Sequence, residues 1–261
     1  MTSRHAIARR TFLLGGLATL GTACSGSGGA GSSRSSSGPR ATVGLTGTSS
    51  NAPRVSVVDA QPTFITPNAE FFRIDNSFGS PKVDPATWKM TIGGLVDRPM
   101  TLDLAALSAM PQVTRTITLC CVSNEVGGDL VGNAEWTGVL LAPLLRECGV
   151  QPGAEQVFST SVDEWTCGFP VAAALDGRDA MIALRMNGEP LPVDHGFPAR
   201  LVVPGLYGYV CNTKWLSSIE LTTWSAKQGY WIPLGWSRDA PVKTQSRIDV
   251  PRRGAQLPGG T

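Results

Sequence analysis

Between residues 71 and 223 the apolar positions of this chain switch period several times, and the switches mark its elements. Residues 114–119 form a short run rich in β-branched side chains that ends in Cys120-Cys121, which predicts a strand ending at a site. Trp88-Lys89-Met90-Thr91-Ile92 alternates apolar and polar as a half-buried strand does, ahead of a Gly93-Gly94 turn. Further strands are expected over 156–160, ended by Asp163-Glu164; over 180–186, closed by the turn pair Asn187-Gly188; over 200–203; and over 215–223. Phe71-Phe72-Arg73-Ile74-Asp75-Asn76 reads as an extended segment. Two stretches carry helical signals instead. Leucines 140, 141, 144 and 145 share one face of a helix over 140–148 that Gly149 stops, and Thr101 is the expected N-cap of a short helix over 102–109, with Pro111 beyond its end. No internal repeat occurs, and strands and helices do not alternate as βαβ units. The expected fold is therefore α+β, a single mixed domain, mostly β with two to four short helices, over residues 54–261.

The first 53 residues follow different rules. Arg9-Arg10-Thr11-Phe12-Leu13-Leu14 opens a basic-then-apolar segment that ends by Ala23, too short for the roughly 20 residues a spanning helix needs. Residues 1–24 are thus expected to be a leader, similar to a twin-arginine export signal, which carries proteins already folded around a cofactor. Gly21-Thr22-Ala23-Cys24 is a candidate lipoprotein processing site, so Cys24 is a candidate lipid anchor to a membrane. Residues 25–53 are Gly/Ser-rich and expected to be a flexible linker. Gly26-Ser27-Gly28-Gly29-Ala30-Gly31 fits G-x-G-x-x-G in letters alone, because no strand precedes it and no helix follows.

Composition removes several function classes. A net charge of +2 without a concentrated basic stretch argues against a nucleic-acid partner. Two histidines occur, and His5 lies in the leader, so His195 is left as the one imidazole of the domain and a multi-histidine metal site is excluded. No C-x-x-C is present for a zinc ribbon, a dithiol or a c-type haem, and no G-x-S-x-G elbow for a hydrolase. The six cysteines become five if Cys24 is acylated, and an odd number leaves at least one thiol free in an oxidising compartment. Cys120 and Cys121 would point to opposite faces of a strand, and a bond between them would be strained. Two readings of the pair stay open on this stretch alone: a packed core thiol and a soft-metal ligand.

A second informative block runs Met186-Asn187-Gly188-Glu189-Pro190-Leu191-Pro192, then Asp194-His195-Gly196-Phe197-Pro198-Ala199-Arg200, with Asn212-Thr213-Lys214-Trp215 after it. Together with the cysteine turn and Asn133-Ala134-Glu135-Trp136-Thr137-Gly138-Val139, this resembles the molybdopterin-binding domain of the sulfite oxidase family, over nearly all of the chain after residue 71. The resemblance implies that fold and a molybdenum-molybdopterin cofactor, with a pterin that carries no nucleotide. It implies that Cys121, as the cysteine of Cys-x-x-Asn, binds molybdenum, the pterin dithiolene and oxo groups being the other ligands. It carries pterin and phosphate contacts to Asp163, His195, Arg200, Asn212, Thr213 and Lys214. Asp75 and Asn76 fall at the family's N-terminal contacts, although Ile74-Asp75-Asn76 stands where the family has Arg-Asn-His.

Other departures bear on the substrate. Glu125 and Val126 follow Asn124 where animal and plant sulfite oxidases have arginines, and Cys167 stands near the position of their tyrosine. An acidic residue beside the metal would repel sulfite, so a neutral sulfoxide is expected to be the better substrate. The sequence ends too soon for the family's C-terminal dimerisation domain, so a monomer is expected. The function expected is an exported, periplasmic or extracytoplasmic molybdopterin-dependent oxidoreductase. It would transfer an oxygen atom to or from a small sulfur- or nitrogen-containing substrate, exchanging electrons with a separate redox partner. The alternative is a non-catalytic cell-envelope binding lipoprotein that keeps the fold.

Overall fold

Among the described residues, ten strands in two sheets form the frame. They are β1 (Lys89–Gly94), β2 (Met100–Asp103), β3 (Val113–Cys120), β4 (Val131–Leu140), β5 (Gln156–Ser161), β6 (Thr166–Pro170), β7 (Met181–Met186), β8 (Glu189–Pro190), β9 (Arg200–Val202) and β10 (Leu216–Thr222). Short helices α1 (Leu104–Ala109), α2 (Leu141–Cys148), α3 (Val171–Leu175) and α4 (Gly208–Cys211) lie between them. This computed structural model describes residues 64–76 and 79–246, so the expected leader, linker and Cys24 lie outside the described residues. The first sheet has the order β2-β1-β10-β5-β6, with β1 and β10 parallel and the other neighbours antiparallel. The second is the antiparallel run β3-β4-β7-β8, with β9 also on β7. This is the single mixed α+β domain expected, mostly strand with four short helices among the described residues.

The centre of the second sheet is covered on both faces, and β7 shows it. Ile182 and Leu184 join the larger core, which also contains β1, β10 and the buried leucines of α2, while Met181, Ala183 and Met186 join a smaller core around Phe71 and Trp136. A strand buried on both sides reads as a continuous apolar run, as residues 180–184 do before the exposed Arg185. Strands β4 and β6 escaped the sequence reading. Along β4 the alternate buried positions are Gly132, Ala134, Trp136 and Gly138, so three of the four are too small to register as hydrophobic. They are small for a reason. A Cβ on Gly138 would sit 2.1 Å from the Ile182 carbonyl oxygen, and one on Gly132 would sit 2.8 Å from the Phe71 ring.

Three boundaries differ from expectation. Asp103, not Thr101, caps α1, because its side chain accepts the Ala106 N–H at 2.8 Å while Thr101 pairs with Thr91 inside β2. Gly93 and Gly94 still belong to β1, paired with Glu220 and Leu221, and the chain turns only at Gly94, whose φ is +80°. Trp215 has φ +47° and stands outside β10. Helix α2 does end as expected, on Gly149 in the left-handed region with its N–H bonded to the Arg146 carbonyl.

Candidate active site

The cysteine turn is built by Asn124. The side-chain oxygen of Asn124 accepts the Leu130 N–H at 2.9 Å, and the Asn124 N–H donates to the Cys121 carbonyl at 3.0 Å. The Cys121 N–H donates to Leu130 at 2.9 Å, which extends the β3–β4 pairing by one bond. Gly128 must be glycine or shift the loop, since a Cβ there would lie 2.9 Å from the Asn124 side-chain oxygen. This is the physical content of Cys-x-x-Asn: the asparagine closes the loop and fixes where the cysteine points. Cys120 is buried and Cys121 partly exposed, and both are free thiols, as are Cys148, Cys167 and Cys211. The Cys120 thiol is pushed up by burial, and its sulfur lies 3.4 Å from the Cys121 carbonyl oxygen.

The N-terminal segment supplies a second wall. The Thr66 N–H donates to Asn133 and the Asn187 side chain donates to the Thr66 carbonyl, at 2.8 and 2.9 Å, which fastens the segment to β4 and to the β7–β8 turn. Phe71 then inserts over Gly132, edge-on to Trp136 at 5.8 Å and to His195 at 5.6 Å. His195 is buried in the 3₁₀ turn Val193–His195, with Nε2 3.1 Å from the Asn68 carbonyl oxygen, an arrangement that requires Nε2 to carry the proton. Burial holds its pKa below the ordinary histidine value, so the ring is neutral at physiological pH.

Arg200 is the most informative side chain. It is buried, and its guanidinium donates to the carbonyls of His195 at 3.1 Å, Asn212 at 3.4 Å and Leu201 at 3.4 Å, with the ring of Trp136 5.0 Å away. No carboxylate pairs with it among the described residues. Burial lowers its pKa to about 10, which still leaves a full positive charge at pH 7. A buried charge that has carbonyl partners but no counterion is a place for an anion. Lys214 is near it in sequence and differently held. Its ammonium contacts Asp75 and donates to the Asp194 carbonyl at 3.1 Å, and Asp75 also takes Arg73 at 2.5 Å. Burial, with Arg73, pulls Lys214 down toward about 7, whereas the touching Asp75 carboxylate favours the ammonium; the pair is an ion pair on this geometry.

One cleft, open on one side, gathers these groups. Asp75, Asn76, Cys121, Asp163, His195, Arg200, Asn212 and Lys214 all line it, and so does Cys120. Thr213 does not. Its hydroxyl faces the core, 2.7 Å from Ser159 Oγ and 3.0 Å from Cys167 Sγ, and only its backbone serves the site by accepting the Leu201 N–H. Glu125 is exposed and is not among the residues that line the cleft, so it does not stand beside the metal site as expected. Arg115 pairs with Asp179 away from the cleft. Sequence reasoning missed an aromatic wall of Trp165, Tyr209, Trp231 and Trp236. The signal was present in the density of tryptophan and tyrosine over residues 224–236.

Among the described residues no three His, Cys, Asp or Glu side chains converge as a metal site. The donor set instead suits a metal that arrives with its own ligands, on an anionic cofactor that Arg200 can hold, and leaves the protein one thiolate to add. That is the donor set of a cofactor-binding domain. A family profile described as "Oxidoreductase molybdopterin binding domain" matches residues 77–231, more than half of the chain. The mitochondrial sulfite oxidase of Drosophila melanogaster is 37% identical over 215 residues, covering 74% of this chain and 37% of that protein. That of Homo sapiens is 30% identical over 237 residues, covering 76% and 43%. The crystal structure of the sulfane dehydrogenase SoxCD from Paracoccus pantotrophus superposes with a TM-score of 0.57 at 29% identity, covering 66% of this chain and 48% of that one.

The chain belongs to the sulfite-oxidase-type family of molybdopterin-binding oxidoreductase domains. Its cofactor is molybdenum-molybdopterin, and the chain spans less than half the length of each of these relatives.

Proposed function

We propose that the domain is exported by its twin-arginine-like leader and transfers an oxygen atom to or from a small sulfur- or nitrogen-containing substrate, exchanging electrons with a separate redox partner. The observation that carries this reading is a buried Arg200, without a carboxylate partner among the described residues, in the same cleft as the partly exposed thiol of Cys121. When bound, molybdenum-molybdopterin supplies two-electron redox chemistry coupled to oxygen transfer. Cys121 holds the metal, its direction set by the Asn124 loop. A thiolate is the donor that suits such a sulfur-rich centre. Arg200 neutralises the cofactor's phosphate with charge-assisted hydrogen bonds, and Asn212, whose side chain accepts the Val203 N–H at 3.1 Å, fixes the turn beside it. His195, neutral and tethered through Nε2, keeps an Nδ1 without a partner among the described residues, which would accept a hydrogen bond from the pterin. The segment carrying Phe71 and Asp75 forms one wall of the cleft.

Cofactor extraction from protein matured in a host that makes molybdopterin tests the reading. The expected result is one molybdenum and one pterin per chain, together with turnover of a sulfur substrate in one direction, using an artificial electron donor or acceptor. Correctly matured protein that contains neither metal nor pterin contradicts it and favours a non-catalytic envelope protein.

A further inference from the structure

The N-terminal segment, residues 64–76, is fastened differently in its two halves. Neutral hydrogen bonds join the first half to the second sheet. Beside those of Thr66, the Asn133 amide donates to the Phe64 carbonyl at 3.1 Å, the Asn187 amide to the Asn68 side-chain oxygen at 2.8 Å and the Asn68 amide to the Met186 carbonyl at 3.3 Å. Phe71 ends this half inside the smaller core. Beyond it, residues 72–76 make no backbone–backbone hydrogen bond among the described residues.

Charge holds the second half. Arg73 Nε donates to Asp75 at 2.5 Å, and Arg73 Nη1 stands 3.3 Å from Asp194, on the 3₁₀ turn that carries His195. Asp75 also contacts the Lys214 ammonium, which donates to the Asp194 carbonyl at 3.1 Å. Asp194 in turn accepts the Ser80 hydroxyl at 2.5 Å. Two cations and two carboxylates thus tie residues 72–76 to the turn of His195 and to the loop of Lys214. The Asp75 and Lys214 side chains are 6% and 11% exposed, whereas that of Arg73 is 39% exposed and does not line the cleft. Arg73 reaches the site only through Asp75 and Asp194.

We propose that Arg73 is a positioning residue and that this four-charge cluster is a latch, which holds residues 72–76 closed as a wall of the cofactor cleft and sets how long the cofactor stays. Phe72, Ile74, Asp75 and Asn76 line the cleft together with His195 and Arg200, so the latched half bounds a ligand held there. A stretch without backbone bonds opens locally at low cost, and losing an ionic contact lowers that cost further. Such opening is felt in the dissociation rate of a ligand more than in its association. The inference rests on the cofactor assignment above and is independent of the substrate and of the direction of oxygen transfer.

The test follows the loss of molybdenum and pterin during dialysis from cofactor-loaded wild type, Arg73→Met and Arg73→Lys, with hydrogen exchange measured alongside. Arg73→Met is expected to release cofactor about 3- to 10-fold faster than the wild type, the size expected for partly exposed ion pairs. Its exchange should quicken at residues 72–76 and not across the domain. Arg73→Lys keeps the charge and should recover most of the difference. Equal release from wild type and Arg73→Met, no recovery in Arg73→Lys, or exchange that quickens throughout the domain overturns the latch. If Arg73→Met loads no cofactor, exchange in the apoproteins decides: faster at residues 72–76 in the variant supports the latch, and equal rates overturn it. Wild-type protein that matures without metal or pterin sinks the cofactor reading instead, and the apoprotein comparison still shows whether Arg73 holds the segment closed.

Discussion

At the buried end of the cleft the polar side chains are tied to the fold: Arg200 to three carbonyls, His195 to Asn68, Asn212 to Val203, Lys214 to Asp75. At the outer end Trp231 and Trp236 stack on one another, meet Trp165, Tyr209 and Tyr230 ring to ring, and keep their donors unused among the described residues. The first arrangement holds a ligand of fixed charge in one pose and tolerates little change. The second makes a broad, weakly directional surface, on which ligands differ by area more than by geometry. Changes at the buried end should therefore abolish loading or turnover, and changes at the outer end should rescale preferences among substrates.

The largest effect is expected for Cys121→Ser. A hydroxyl is a harder and far less acidic donor than a thiol, so turnover should fall by at least about a thousandfold with little change in Tm, whereas Cys120→Ser should keep activity within about tenfold. Steady-state kinetics and thermal melts on both variants check this. Arg200→Met should come next, and it pulls two quantities apart. Removing a buried charge offsets the loss of its carbonyl bonds, so the apoprotein Tm should move by no more than a few degrees, or about 1–2 kcal/mol. Cofactor content after dialysis should nevertheless drop by about tenfold to a hundredfold, the worth of charge-assisted bonds to a phosphate. A stable, fully loaded Arg200→Met would remove the anion site from the account.

His195 predicts a pH effect of smaller size. Its folded pKa lies below the unfolded value of about 6.5, so the stability it contributes is fully present above pH 6.5 and is lost as pH falls through the folded pKa. Melting temperature measured from pH 7.5 to 5 should fall less steeply in His195→Gln than in the wild type. The smallest effect is expected for Glu125→Gln, which should change kcat/KM for any substrate by less than about twofold, because the residue is exposed and outside the lining. A larger gain in sulfite turnover would return Glu125 to the substrate path.

The sequence was most legible where local chemistry settles the outcome. Gly149 ends α2 because only a residue at ease at φ +70° can do so, and Asn187-Gly188 turns β7 into β8 with both residues at positive φ. Cys121, His195 and Arg200 were found through ordered motifs, and the cleft does bring them together. Where a contact across the fold decides, sequence said less. The small residues of β4 hide a strand because Phe71 and the Ile182 carbonyl fill the space their side chains would take. Thr213 sits among residues that line the cleft yet faces Ser159 and Cys167, since its neighbours in sequence and its neighbours in space lie on opposite sides of the chain. The same limit explains Glu125, whose carbonyl accepts the Gly128 N–H within the cysteine turn and which still does not line the cleft.

The central claim is that this chain adds one sulfur, that of Cys121, to a metal held by a pterin anchored on Arg200. Molybdenum K-edge X-ray absorption on the wild type, Cys120→Ser and Cys121→Ser, each purified with its cofactor, counts the sulfur neighbours of the metal. The account predicts one sulfur fewer in Cys121→Ser than in the wild type and no change in Cys120→Ser; a loss in Cys120→Ser with none in Cys121→Ser would contradict it.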